Sequence, residues 1–187
     1  MNSLTKQSKF AFAVLLQVVI LFTLILFKLT VLAGGTEVLL KIEPVDPTSP
    51  LRGDYATFQY SNISRVDSYL ADVTQVSTGD TVYVVLRQVG TYWKAERVEK
   101  VKPTSGELFL AGKLVSGGVV QQPASTLLPR SLPQPLHIVY GIEEYFIPEG
   151  SGRDFSFFDK EAAARVVVDD EGNAVLKQIL VGGKPWP

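Results

Sequence analysis

The chain has 187 residues, with 18 Lys and Arg against 19 Asp and Glu and a net charge of −1. It contains no Cys and one His, which excludes disulfides, thiolate catalysis, Cys-ligated metals and any His-rich metal site. No basic stripe is present to follow a phosphate backbone, so nucleic acid is not expected as a partner; no cofactor is expected either.

The charges are unevenly placed. Every Asp and Glu lies at Glu37 or beyond, while Lys6 and Lys9 stand alone in the short segment 1–9. Residues 10–27 read FAFAVLLQVVILFTLILF, with Gln17 and Thr23 the most polar members. Lys28 interrupts, and the apolar character continues to Ala33 before Gly34 and Gly35. About 20 apolar residues at 1.5 Å each cover a hydrocarbon core of roughly 30 Å. Residues 10–33 therefore predict a transmembrane signal anchor through which the chain meets the lipid bilayer. Lys6, Lys9 and the amino terminus favour an N-terminus in the cytoplasm of a bacterial inner membrane, with the remainder outside. A cleaved signal peptide is the competing reading, because Val31-Leu32-Ala33 suits a peptidase site. Against it, the run exceeds an h-region of about 7–15 residues, and Lys28 would fall inside the cleavage region.

Residues 34–187 read as one extracytoplasmic domain built mainly of strands. Residues 37–43 (EVLLKIE) form a strand that Pro44 stops. Residues 54–60 alternate, with Ala56, Phe58 and Tyr60 on one face and Tyr55, Thr57 and Gln59 on the other. Val66, Tyr69, Leu70 and Val73 recur at helical spacing, predicting a short helix over 64–74. Residues 81–89 and 92–101 flank Gly90 as a hairpin. Residues 107–115 give another strand, and 136–147 a β-rich segment with Gly141 as its bend. The stretch 116–135 carries two Gly and four Pro, so it predicts a surface loop. A second short helix is expected within 148–160, leading into EAAAR. The last pair of strands, 165–169 and 174–181, flanks a strong turn at 170–173. The expected fold class is mainly β (α+β): an antiparallel β-domain with one or two short helices, after one transmembrane helix.

The segment from Gly53 to Tyr60 resembles the GDYXXLXY proteins, a family of bacterial membrane-anchored proteins of unknown function. Gly53, Asp54 and Tyr55 match, Phe58 replaces the Leu on the same apolar face, and Tyr60 closes the motif. The resemblance extends to Pro44-Val45-Asp46-Pro47 and Leu51-Arg52 ahead of it. It continues through Tyr140-Gly141-Ile142-Glu143 with Tyr145-Phe146-Ile147, then Gly152-Arg153, and ends in the hairpin VVVDDEGNAVLKQILVGGK. It implies an extracytoplasmic cell-envelope module that works with a polytopic membrane partner, and supplies no chemistry.

The candidate binding residues are Arg52, Gly53, Asp54, Tyr55, Phe58, Tyr60, Tyr140, Gly141, Glu143, Tyr145 and Arg153. Gly53 can take a positive φ at the entry to a strand, and Asp54 can accept from nearby amides. Glu143 and Glu144 are adjacent on an extended segment, so they point to opposite faces and cannot converge on one substrate. An inward Glu143 beside Tyr145 needs a partner, for which Arg52 and Arg153 are the candidates. His137 reads as an ordinary half-buried strand residue, and no Gly-x-Ser-x-Gly elbow offers it a nucleophile. Asp169, Asp170, Glu171 and Asn173 depart from Ca²⁺-loop spacing and read as a solvated turn.

No catalytic constellation emerges, and the leading expectation is an accessory or interaction module. Its motivating observation is that about 20 residues separate the apolar run from the motif. A domain binding a small ligand or an envelope polymer is the alternative. The layout is also similar to that of type I signal peptidases, which use a Ser nucleophile and a Lys base. In that reading Val45 and Asp46 stand where the Ser belongs, and Ser49 with Lys94 would be the surviving pair.

Overall fold

The computed structural model describes residues 6–44, 55–71, 76–104, 106–117, 134–146 and 160–186. The apolar run forms α1 (Lys6–Gly34), a helix long and apolar enough to associate with a bilayer. Its apolar side chains are exposed from Phe10 to Leu29. In the last turn Val31 is only 2% exposed.

The strands follow at once. They are β1 (Thr36–Pro44), β2 (Tyr55–Tyr60), β3 (Arg65–Val66), β4 (Thr81–Val89), β5 (Tyr92–Glu99) and β6 (Phe109–Ser116). After these come β7 (Leu136–Val139), β8 (Glu144–Phe146), β9 (Ala162–Val168), β10 (Ala174–Val181) and β11 (Lys184–Pro185). Among the described residues one sheet runs β11-β10-β9-β1-β2-β8 and a second runs β3-β7-β6-β4-β5. Every strand-to-strand pairing within the two sheets is antiparallel.

The inward faces follow from the period of two. Val38, Leu40 and Ile42 of β1 join Phe58 and Tyr60 of β2 and Ala162, Ala164, Val166 and Val168 of β9. From the second sheet Val82, Val84, Leu110, Leu114, Leu136 and Ile138 complete one shared cluster. The sheets thus bury a common core between them. The turn joining β9 to β10 also ties them together, since Ala111 of β6 donates its amide to the Gly172 carbonyl at 2.9 Å.

Two expectations need correction. The short helix over 64–74 is instead β3 followed by one turn of 3₁₀ helix at Ser68–Leu70. Val66 is drawn into the sheet opposite Leu136, and Asp67 is extended. Tyr69 is left 80% exposed while Val66 and Leu70 pack against the core, so these residues do not share one buried helical face. The strand expected from Arg165 also begins earlier than its sequence pattern indicates. β9 starts at Ala162, because small side chains fit a central strand that is buried on both faces. The second expected helix, within 148–160, lies outside the described residues but for Lys160. So does most of the 116–135 loop; at its ends Ser116 belongs to β6, and Gly117 packs against Pro135.

The helix-to-sheet junction is close. Gly35 donates its amide to the Val31 carbonyl at 3.0 Å, and Thr36 already pairs with Val168. A Cβ on Gly35 would lie 2.7 Å from both Val167 Cγ1 and the Val168 carbonyl oxygen. Only glycine lets the helix end approach β9 this closely. Beside it, Glu37 accepts from Lys177 at 2.9 Å and pairs with Arg165 at 3.1 Å. The Lys177 hydrogen bond, with charge from Lys177 and Arg165, holds the Glu37 carboxyl below its usual range.

β1 runs away from α1, and the motif strand pairs with its far half. Tyr60 lies opposite Ile42 and Phe58 opposite Pro44. At about 3.3 Å per residue, these positions are roughly 20 and 26 Å along the strand from Thr36. Nearness in sequence to the apolar run therefore does not bring the motif near the helix.

Candidate functional site

The motif strand β2 lies between β1 and β8. Phe58 and Tyr60 point into the core and are fully buried, while Thr57 is exposed and Gln59 half-buried, as the alternation predicts. Their rings meet edge-on at 5.6 Å, an arrangement that favours aromatic pairs. The Tyr60 hydroxyl donates to the Ile142 carbonyl at 2.5 Å. In the opposite direction, the Tyr140 hydroxyl donates to the Ile63 carbonyl at 2.8 Å. Each tyrosine thus holds the bend that follows the other one. The two phenols form a reciprocal clasp between the turn 61–64 and the bend 140–143.

The chemistry of both bends explains why a clasp is needed. Gly141 has φ +77° and separates β7, in one sheet, from β8, in the other. The chain changes sheets here, so its carbonyls lack ladder partners and must find others. Glu143 contributes twice: its carboxylate accepts from the Tyr140 amide at 2.5 Å, and its carbonyl from the Phe58 amide at 3.1 Å. Arg52 and Arg153, the expected partners of this half-buried carboxylate, lie outside the described residues; among the described residues it is the Tyr140 amide that donates to it. Burial pushes both phenols well above the ordinary tyrosine range, and the Glu143 charge adds to the shift. Tyr140 as a residue is half-buried, but its hydroxyl is enclosed.

Ser64 and Asn62 complete the clasp and were not singled out in the sequence. Ser64 is buried; its hydroxyl oxygen accepts from the Tyr60 amide at 2.9 Å, and its carbonyl accepts from Ile138 at 2.9 Å. Asn62 sits at φ +60°, a region that Asn tolerates better than most residues. The run Ser61-Asn62-Ile63-Ser64 directly after a strand was the available signal.

The family model described as GDYXXLXY protein matches residues 17–179. The chain belongs to this family. No curated protein and no solved structure matches it.

Of the other candidate residues, Arg52, Gly53 and Asp54 lie outside the described residues, as does Arg153. Tyr55 opens β2 with its backbone opposite Phe146. Tyr145 is half-buried, its ring tilted against Trp186 at 6.1 Å. Glu144 is exposed and lies opposite Thr57, so it does not join Glu143 in the bend.

Beside the clasp a cleft of about 450 Å³ opens between β2 and β7. Phe58, Ile138 and Val139 provide apolar lining, and Thr57, Gln59, His137, Glu143 and Glu144 polar lining. Among the described residues the lining holds two carboxylates and one imidazole but no Lys or Arg. A second depression, of about 580 Å³, lies at the start of β1 and includes Thr36, Lys102, Phe109 and Glu171. His137 is half-buried in β7 opposite Arg65. At the last hairpin, one Asp169 carboxylate oxygen accepts from the amides of Glu171 and Asn173, and the other from the Asn173 side chain. These oxygens are committed to the turn. Among the described residues no cluster of three or more His, Asp or Glu is placed to hold a metal. Ser49 lies outside the described residues, and Lys94 is exposed on β5.

Proposed function

We propose that this protein is a single-span membrane-anchored module of the bacterial cell envelope. In this reading its N-terminus is cytoplasmic, its domain lies on the outer face, and it serves as an accessory subunit of a polytopic membrane partner. The observation that carries the reading is the junction at Gly35. A helix destined for removal has no reason to be built into the fold, yet Val31 is buried and Gly35 leaves no room for a Cβ against β9. The family match supports the same reading, because it starts at Gln17, inside the helix. A close junction fixes the domain relative to the bilayer, which an accessory subunit needs and a freely diffusing binding protein does not. Arg52, Asp54 and Tyr55, on the segment leading into β2, are proposed to present the contact surface. Phe58, Tyr60, Tyr140, Gly141 and Glu143 are proposed to hold it in shape.

Crosslinking in intact membranes, followed by identification of what is joined to the domain, tests this reading. The expected result is a covalent adduct with a multi-span protein, lost on Tyr55→Ala or Asp54→Ala with the fold retained. Recovery of monomer alone across several crosslinker lengths would sink it. A second reading rests on the cleft between β2 and β7, whose carboxylates suit a small cationic or polyhydroxylated ligand. Chemical-shift changes confined to Thr57, Gln59 and His137 on ligand addition would favour that alternative.

A further inference from the structure

We propose that α1 associates with α1 of a second copy of this chain through the face centred on Gln17. The inference rests on the reading of α1 as a retained membrane span. Three neutral polar side chains lie between Phe10 and Thr30. Thr23 donates to the Val19 carbonyl at 2.9 Å and Thr30 to the Phe27 carbonyl at 2.7 Å, so both are satisfied within their own helix. Gln17 makes no such bond; its amide, two donors and one acceptor, is exposed and has no partner among the described residues.

Depth makes this costly. At 1.5 Å per residue Gln17 lies about 12 Å from the level of Lys9 and about 16 Å from that of Lys28. If those lysines mark the two interfaces, the amide sits near the bilayer midplane, where water cannot satisfy it. A partner helix must then supply donor and acceptor together at that depth. A parallel second copy does so by symmetry: each Gln17 meets the other at the same depth, and a carboxamide complements itself. One buried polar side chain in an apolar seam sets register and partner number in the same way in coiled coils.

The rest of the face is compatible. At 100° per residue, Phe10, Ala13, Leu21 and Leu24 fall within about 40° of Gln17, and Ala13 lets the backbones approach. Thr23 and Thr30 lie more than about 100° away. Lys28 falls on the same face, and its amines would splay toward the headgroups from the end of the contact. Val31 is occupied against the sheet. Pairing therefore involves residues 10–24.

The lack of cysteine in the chain makes the test clean. The full-length protein is first checked for retention in membranes at alkaline carbonate pH; release would overturn the span and this inference with it. Single cysteines are then oxidised in intact membranes. Disulfide-linked dimer should form several-fold more readily at Ala13→Cys and Leu24→Cys than at Leu15→Cys and Phe22→Cys on the opposite face. Adding Gln17→Leu to Leu24→Cys should reduce the dimer several-fold, and Gln17→Asn should preserve it. A retained protein that crosslinks equally around the helix, that links only to other proteins, or that ignores Gln17→Leu would overturn the dimer while leaving the membrane span intact.

Discussion

The two ends of β1 are secured in opposite ways. At its start the helix meets the sheet through a missing side chain: Gly35 lets Val31, Val167 and the Val168 carbonyl close on one another. Near its far end, the GDYXXLXY strand and the sheet-switching bend are joined by added groups, the hydroxyls of Tyr60 and Tyr140 and the carboxylate of Glu143. The first arrangement depends on shape and tolerates no added atom. The second depends on directed hydrogen bonds and tolerates no lost one. A family motif can therefore mark a fold device at a distance from the apolar helix, while a single glycine seats that helix against the sheet.

This contrast can be broken from either side. The largest effect is expected from Phe58→Ala, which removes a fully buried ring from beneath the clasp and should cost about 3–5 kcal/mol. Denaturant unfolding in detergent, followed by the fluorescence of Trp93 and Trp186, measures it. A loss under about 1 kcal/mol would show that the motif strand is not part of the cooperative core.

Gly35→Ala should cost about 1–3 kcal/mol by overpacking. It should also open the peptide between residues 31 and 36 to proteases while the rest of the domain resists. Unchanged protection there would mean that the helix end is not held by shape.

Tyr60→Phe and Tyr140→Phe should each cost about 1–2 kcal/mol, since each leaves a carbonyl without its donor. The double variant should deviate from additivity, because the two bonds brace the same pair of bends. Simple additivity would reduce the clasp to two independent contacts.

The smallest effect is one of pH. Both phenols are held above the ordinary tyrosine value near 10, whereas in the unfolded chain they ionise at that value. Their stabilisation is thus complete below pH 10 and is lost as the pH rises from there through the raised folded values. Tyr60→Phe should flatten this alkaline loss; an identical profile would indicate that the phenol is not enclosed.

Much of this architecture was legible in the sequence. The apolar run, the alternation of Phe58 and Tyr60, the hairpin around Gly90 and the turn at 170–173 each carry local chemistry strong enough to decide the backbone. The bend at Gly141 was legible too, but not its consequence, because a change of sheet is a property of topology. The partners of Tyr60, Tyr140 and Glu143 were hidden for a related reason. Tyr60 and Ile142 are 82 positions apart, and no local pattern records such a pairing. The 64–74 segment misled because helical spacing matters only when one surface covers the whole stripe, and here Val66 is buried while Tyr69 is exposed. The strand expected from Arg165 begins earlier, at Ala162, because the small alanine side chains fit the space between two packed layers.

The directness of the step from α1 to β1 has a mechanical meaning. A pull on the helix enters the domain along β1, a strand with β9 on one flank and β2 on the other. The β1–β9 pairs from Thr36–Val168 to Ile42–Ala162 then resist together in shear. They are not peeled apart one after another, as they would be at a sheet edge. A domain wired in this way can carry tension applied through α1 without unzipping its sheet.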